Sequence, residues 1–293
     1  MVGRVIRLLA GYYFVQVGPS VLRCRARGKM RLSDETPCVG DMVEVTTLAD
    51  GEGVVEAILP RRNVLDRPLV ANVSQVVVVA AMTSPEPNLI LVDRVLVAAE
   101  VLGLRGVVFF TKTDLHQRAE LKGIYEKAGY CVILGSLTSK QVPSELLDVL
   151  RGQTSVLAGQ SGVGKSSLVR LLCPGVNAAV GEVSAKTHHG RHTTRHVELH
   201  YLPNYEAFVA DTPGFSRLDL PEGLSSHNLA EHFPEMRGAR ERCRFGGDCR
   251  HSGEPGCEVR GGLLPSGAIA LERYKSYLAL LEEVRQQERS RYK

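Results

Sequence analysis

Eight consecutive residues, Gly159-Gln160-Ser161-Gly162-Val163-Gly164-Lys165-Ser166, match the pattern G-x-x-x-x-G-K-[ST] without a deviation. Glycines at these positions let successive backbone N–H groups turn inward and cradle phosphate oxygens. Lys165 brings a point charge to the outer phosphates, and the Ser166 hydroxyl can ligate Mg²⁺. An apolar strand, Ser155 to Ala158, precedes the run, and an apolar helix opens at Ser167 and runs to Cys173. That helix adds its positive N-terminal end to the cradle. A glycine turn with a chance lysine would not need this strand-and-helix setting.

A phosphate loop does not by itself name the nucleotide. Asp211-Thr212-Pro213-Gly214 follows an apolar strand and has the form D-x-x-G, in which the carboxylate supports Mg²⁺ and the Gly214 N–H senses a γ-phosphate. Thr111-Lys112-Thr113-Asp114 ends another strand and is similar to the guanine loop N-K-x-D. The Asp114 carboxylate can accept two donors that guanine offers and adenine does not, and a polar site left unpaired rejects the wrong base. Thr111 stands where asparagine is usual, so a hydroxyl replaces the amide that would brace the loop. Asp114 can also act as the N-cap of a helix from Leu115 onward. Ser136-Leu137, after the next strand, sits where a Ser-Ala pair often touches the guanine rim.

A second constellation, Cys243-x5-Cys249-x-His251-x5-Cys257, offers three thiols and one imidazole. Structural Zn²⁺ takes four such N/S ligands in tetrahedral geometry, and with no position left for water the role is structural. Gly246-Gly247, Gly253 and Pro255-Gly256 provide the tight loops; a cluster of free buried thiols is the alternative. The segment that carries these ligands is expected to have little core of its own and to fold with its metal.

Elements must place these loops. Val2 to Leu9, Tyr12 to Val17, Val21 to Ala26 and Asp41 to Thr47 read as short strands separated by glycine turns, which argues for a small β-barrel. From Ser74 the rhythm changes. Strands Ser74 to Met82, Val107 to Phe110, Tyr130 to Leu134 and Ser155 to Ala158 alternate with helices Leu89 to Leu102, Leu115 to Ala128 and Ser144 to Leu150, which implies a parallel sheet. Arg195 to Leu202 and Glu206 to Ala210 follow as a hairpin turning at Pro203-Asn204, and a helix from Ile269 to about Gln287 ends the chain.

The guanine loops at 111 and 136 precede the phosphate loop at 159 and the D-x-x-G at 211, which rotates the usual GTPase order. Joining the old ends and reopening the chain between two strands gives the same sheet, a circular permutation. With a barrel in front and a Cys/His cluster behind, the chain resembles the RsgA (YjeQ) family of ribosome small-subunit-dependent GTPases. The resemblance rests on Gly159 to Leu168, on Gly190-Arg191-His192-Thr193-Thr194, on Asp211 to Phe215 and on Cys243 to Cys257. The first two cysteines are one residue further apart than in the family pattern. What the resemblance implies is an α/β protein of three parts: an N-terminal OB-fold β-barrel (1–66), a circularly permuted P-loop GTPase domain (67–218), and a C-terminal zinc-binding domain with a terminal helix (219–293). It also implies late maturation of the small ribosomal subunit through its rRNA, GTP hydrolysis stimulated by that particle, and release driven by hydrolysis. Thr193 or Thr194 should then ligate Mg²⁺. Phe215 occupies the place of the usual water-orienting glutamine, so His192 is the choice for that task, with His188 and His189 as alternatives or all three as a basic loop that touches RNA.

Seven cysteines, no secretory leader and no apolar run longer than Val76 to Met82 point to a cytoplasmic protein without disulfides or membrane spans, and a monomer is expected. Cys24, Cys38, Cys131 and Cys173 read as small core residues. Formal net charge is only +4, but the first 33 residues hold seven basic side chains and no acid. The alternation of Arg23, Arg25 and Arg27 puts these on one face of a strand, suited to nucleic acid or simply to solvent. Two other functions stay open: a nucleotide-gated RNA chaperone with incidental turnover, and a P-loop ATPase or small-molecule kinase, against which Asp114 argues.

Overall fold

The structure, a computed structural model, describes residues 1–28, 36–49, 51–66, 69–174, 197–211, 220–221 and 223–291. Its strands and helices run β1 (Val2–Leu9), β2 (Tyr12–Val17), β3 (Ser20–Ala26), β4 (Met42–Thr47), β5 (Gly53–Ile58), β6 (Val64–Asp66), β7 (Leu69–Ala71) and β8 (Gln75–Ala81). Then come α1 (Leu89–Val101), β9 (Arg105–Thr111), α2 (Ala119–Lys127), β10 (Cys131–Leu134), α3 (Ser144–Leu150) and β11 (Thr154–Ala158). The chain continues through α4 (Lys165–Leu172), β12 (Glu198–Leu202), β13 (Ala207–Asp211) and α5 (Leu271–Arg291). Two compact units form, one from Met1–Ser74, Lys140–Leu157 and Lys165–Phe215, the other from Gln75–Ser139, Ala158–Gly164 and Ser216–Lys293.

In the first unit, five strands close on themselves: β1 pairs with β2, β2 with β3, β3 with β5, β5 with β4, and β4 again with β1. Closure removes every edge, and the inward side chains Val5, Val15, Cys24, Val43, Val45 and Val55 fill the interior. The fifth strand, β5, escapes the sequence reading because its outward positions Val54 and Ala57 break the polar alternation. Downstream, β12 and β13 form the expected hairpin, turned by a 3₁₀ segment at Pro203–Tyr205, and β11 lies parallel to β13. β12 also meets the barrel, with Arg7 of β1 opposite Glu198. Asp41 is fully buried; Arg61 donates to both its oxygens at 2.7 and 2.8 Å, which ties the barrel to the segment that leaves it.

In the second unit, β8, β9 and β10 form a parallel ladder, and β8 is buried at all seven positions. That is the pattern of a strand covered on both faces. The Asn88 side chain caps α1 by accepting from the Leu91 N–H at 3.1 Å. α2 begins at Ala119, not at Leu115, and its N-cap is Arg118. Asp114 is therefore not a helix cap; it lies in a turn closed by the Leu115 N–H donating to the Lys112 carbonyl at 3.1 Å. The C-terminal segment is richer in core than its sequence suggests. Phe233, Met236, Tyr277, Leu280 and Leu281 are buried in one apolar cluster that also takes in Val97 of α1.

Charge keys that cluster to α1. Arg273 on α5 is 1% exposed and donates to Asp93 at 2.7 Å and to both oxygens of Glu235 at 2.7 and 3.0 Å. The Phe233 ring lies 4.6 Å from its guanidinium. Arg94 pairs with Glu283, and Arg237 pairs with Glu100. Among the scattered cysteines, Cys24 and Cys38 are buried as expected, while Cys131 and Cys173 are only partly covered.

Candidate nucleotide site and metal centre

The phosphate loop leaves β11 at Ala158, and its glycines are required by geometry. Gly159 has φ +139°, and a Cβ there would fall 2.0 Å from the Val79 carbonyl oxygen. Gly162 and Gly164 have φ +81° and +105°, conformations that side chains rarely adopt. Left-handed turns at alternating positions point backbone N–H groups inward, the geometry of an anion nest. α4 then starts at Lys165, so Ser166 and Ser167 stand in its first turn, which holds no acid to neutralise the helix end.

Against this loop the structure sets the ends of the neighbouring strands. Thr111, the last residue of β9, is 1% exposed, and its hydroxyl donates to the Val163 carbonyl at 2.6 Å. Lys112 takes the left-handed conformation, φ +59°, and its ammonium donates to the Ser84 carbonyl. The Thr113 N–H donates to Gly135, and Asp114 is exposed at the rim. Ser136 shares a 2.7 Å hydrogen bond with Thr138, and Leu137 would touch a Cβ at Gly164 at 3.4 Å. Gly159, Gln160, Gly162, Val163 and Gly164 thus share one region with Thr111, Lys112 and Ser136.

Sequence reasoning missed the segment from Ser84 to Asn88. Besides receiving Lys112, it places Pro85 against Gly162, and its Asn88 N–H donates to the Gln160 side chain at 3.4 Å. The visible signal was Asn88 itself, an N-cap type directly before an apolar helix. Asp211 ends β13, with its Cα opposite Glu198. Gly214, Phe215, His188, His189, His192, Thr193 and Thr194 lie outside the described residues.

Cys243, Cys249, His251 and Cys257 come together, all buried, with their ligand atoms within 4.8 Å of one another. The three sulfurs stand 3.6, 3.6 and 3.4 Å from His251 Nδ1. A tetrahedral ion with M–S near about 2.3 Å and M–N near about 2.0 Å requires S···N edges of about 3.5 Å. The donor set therefore fits one metal ion, and the extra residue after Cys243 is absorbed in the loop at Gly246, φ +48°. Burial pushes the Cys249 and Cys257 thiols up and holds His251 below its ordinary value, so the imidazole is neutral, as a ligand must be.

Surrounding groups hold the ligand loops. Tyr274 and Tyr277 on α5 donate to the carbonyls of His251 and Arg250 at 2.7 and 2.6 Å. Glu254 receives the N–H groups of Arg250, Ser252 and Gly253 at 3.0, 2.8 and 3.0 Å. Burial alone would raise its pKa, but these donors win and hold it at about 2.

A permuted nucleotide site followed by a Cys₃His cluster is a specific combination, and sequence comparison matches it. The profile of the RsgA GTPase covers residues 58–221, more than half of the chain. The chain belongs to the RsgA GTPase family. The RsgA N-terminal domain profile adds residues 2–55, the five-stranded barrel. The small ribosomal subunit biogenesis GTPase RsgA of Moorella thermoacetica is 44% identical over 99% of both chains. Its counterpart in Carboxydothermus hydrogenoformans is 45% identical over 99% of this chain and 100% of its own. YjeQ from Thermotoga maritima superposes with a TM-score of 0.79 at 32% identity, over 97% of this chain and 98% of its own. YloQ, described as a circularly permuted GTPase, gives 0.78 at 32% identity, over 98% and 95%. The RsgA fold is therefore the fold of this chain, barrel, permuted GTPase domain and Cys₃His segment included, and the activity is hydrolysis of GTP. No helix among the described residues is long and apolar enough to cross a membrane.

Proposed function

We propose that this chain hydrolyses GTP on the small ribosomal subunit, assists the late maturation of that particle, and leaves it when the nucleotide is spent. The observation that carries the reading is the joining of a guanine loop to a phosphate loop in permuted order, in a chain aligned end to end with small ribosomal subunit biogenesis GTPases. Three functional parts are assigned: 1–66 for RNA contact, 67–218 for GTP, and 219–293 for the metal and the terminal helix. The site is assigned in cytoplasmic, monomeric protein.

Asp114 selects guanine, and Thr111, Lys112, Thr113 and Ser136 shape its pocket. Residues 159–167 hold the phosphates, with Lys165 as the charge that meets their outer oxygens. Ser166 and one of Thr193 and Thr194 would hold Mg²⁺, supported by Asp211, and that ion offsets charge built up on the phosphates. The Gly214 N–H reads the γ-phosphate, and His192 aligns the attacking water. Cys243, Cys249, His251 and Cys257 hold one structural Zn²⁺.

The deciding experiment compares GTP turnover with and without purified small subunits. Acceleration by the small subunit, and none by the large subunit, is the expected result. Equal turnover in all three conditions would overturn the ribosomal part of this reading, and equal competition by ATP would overturn the guanine assignment.

A further inference from the structure

Barrel strand β1 and the hairpin β12–β13 belong to one compact unit, and a single register row runs through both. Across β3, β2, β1, β12 and β13 the Cα partners are Arg23, Phe14, Arg7, Glu198 and Asp211. One end of the row is the exposed Arg23 on the outer side of the barrel, and the other is the aspartate that opens D-x-x-G. β12 pairs with β13 on one side, and without β1 its other side would be an open edge.

Two arginines of β1 hold this part of the sheet unequally. Arg4 is the fixed contact. It donates to the Thr154 hydroxyl of β11, and its guanidinium lies 4.7 Å from the ring of Phe208, the partner of Thr154 on β13. Arg7 is the adjustable contact. A β-bulge between Val5 and Arg7 lets both Val5 and Ile6 be buried and turns Arg7 outward, where strict alternation from Val5 would send it into the core. Arg7 Nη1 stands 3.7 Å from Glu198, longer than a hydrogen bond, with both side chains 38% exposed. Its Nε is buried and has no acceptor among the described residues. The Phe14 ring backs the guanidinium at 4.2 Å, so a shift of β2 carries Arg7 with it. An ion pair of this length beside an unspent donor can close into a hydrogen bond.

From this row we infer that Arg7 and Glu198 are positioning residues for the subunit-stimulated hydrolysis of GTP. A load on the barrel closes the Arg7–Glu198 contact, which sets β12 against β13 and thereby sets the backbone at Asp211 for the hydrolytic step. Resting on the ribosomal reading above, this route carries contact with the particle to the nucleotide site. Both residues act through Asp211. Glu198 is the more telling of the two, because a carboxylate repels phosphates, so its removal separates transmission from binding.

The test measures GTP turnover of the full-length chain, alone and at saturating small subunit, together with subunit Kd, GTP affinity and thermal midpoint. Glu198→Gln keeps the size and removes the charge. An exposed ion pair is worth about two- to fivefold in an equilibrium, so stimulated kcat should fall by about that factor at an unchanged KM for GTP. Glu198→Arg sets like charges opposite one another and should lower stimulated kcat by about tenfold. Exchanging the pair, Arg7→Glu with Glu198→Arg, should return it to about half of wild type or better. A merely structural pair would lower basal and stimulated turnover alike, and that result overturns the proposal. So does a stimulated kcat unchanged in both single variants. A loss that the exchange does not repair overturns it too, since Glu198 would then act without Arg7. Weaker subunit binding with unchanged kcat at saturation also overturns it, because Glu198 would be a docking residue. Wild-type turnover that the subunit does not accelerate refutes the ribosomal reading itself, and this route with it.

Discussion

The Thr111 hydroxyl donates to the Val163 carbonyl at 2.6 Å, so the last residue of β9 holds the middle of the phosphate loop. Thr111 is buried there, and its hydroxyl replaces the usual asparagine amide as the brace between the two nucleotide loops. Thr111→Val keeps the shape and removes the donor, which leaves a buried carbonyl without its partner. Such a loss costs about 1–3 kcal/mol. GDP and GTP affinity should therefore fall by roughly tenfold in calorimetric titration, whereas Thr111→Asn should bind as well as wild type or better. Valine without effect would show that the brace is dispensable.

Guanine selection should depend on Asp114, which lies exposed at the rim and is released from any helix-capping role by the late start of α2. Asp114→Asn replaces one acceptor oxygen by a donor that faces the guanine donors. A loss of GTP affinity of about a hundredfold is expected, with a gain for xanthosine triphosphate, whose base presents an acceptor to the new amide donor. Competition titrations with GTP, xanthosine triphosphate and ATP measure it directly.

The nucleotide loops and the metal ligands were legible in the sequence because their chemistry restricts residue type: glycine at Gly159 and Gly164, thiols at Cys243 to Cys257. β6 and β7 were not legible, since three residues each give no periodicity. The start of α2 was misplaced because Asp114 is a good N-cap type, and only the left-handed Lys112 before it shows that the chain turns there instead. The pairing of Arg23 and Arg25 with Glu52 could not be read either; β5 had to close the barrel before those charges met.

Removal of the metal should loosen the ligand loops more than the core around them. The core around Phe233, Tyr277 and Leu281 takes in the three thiols, but most of its side chains are apolar and lie on other segments, whereas the loops at 243–257 depend on four converging ligands. Elemental analysis should return one zinc per chain. Chelation should raise hydrogen exchange across 243–257 strongly and across 277–284 weakly. Uniform exposure of the whole segment would mean that metal and core fold as one.

The buried Arg273 gives a pH-dependent prediction. Arg273→Met leaves Asp93 and Glu235 buried without their cation, a loss of about 3–5 kcal/mol. Burial already raises the Asp93 pKa, and Arg273 opposes that rise. Without Arg273, the folded-state pKa climbs further above its unfolded value, so the penalty is full at neutral pH and declines as pH falls and Asp93 takes up a proton. Urea unfolding at about pH 8 and about pH 5 should show the variant's deficit shrinking at the lower pH. A deficit independent of pH would assign the loss to packing against Phe233.

Hydrolysis itself needs a group to align the attacking water, and Phe215, in the position next to Gly214, can neither donate nor accept the required hydrogen bond. His192 is the replacement proposed above, beside the Thr193-Thr194 pair in sequence. A neutral imidazole can accept a proton from water, a contribution typically worth about 10²–10⁴ in rate. If the loop takes its working position only on the small subunit, slow basal turnover and its stimulation have one cause. His192→Ala should then lower subunit-stimulated turnover by about a hundredfold, while GTP affinity and subunit binding stay within about twofold of wild type. Stimulation that survives His192→Ala would move the task to His188, His189 or the ribosome, and parallel measurements on His188→Ala and His189→Ala distinguish these.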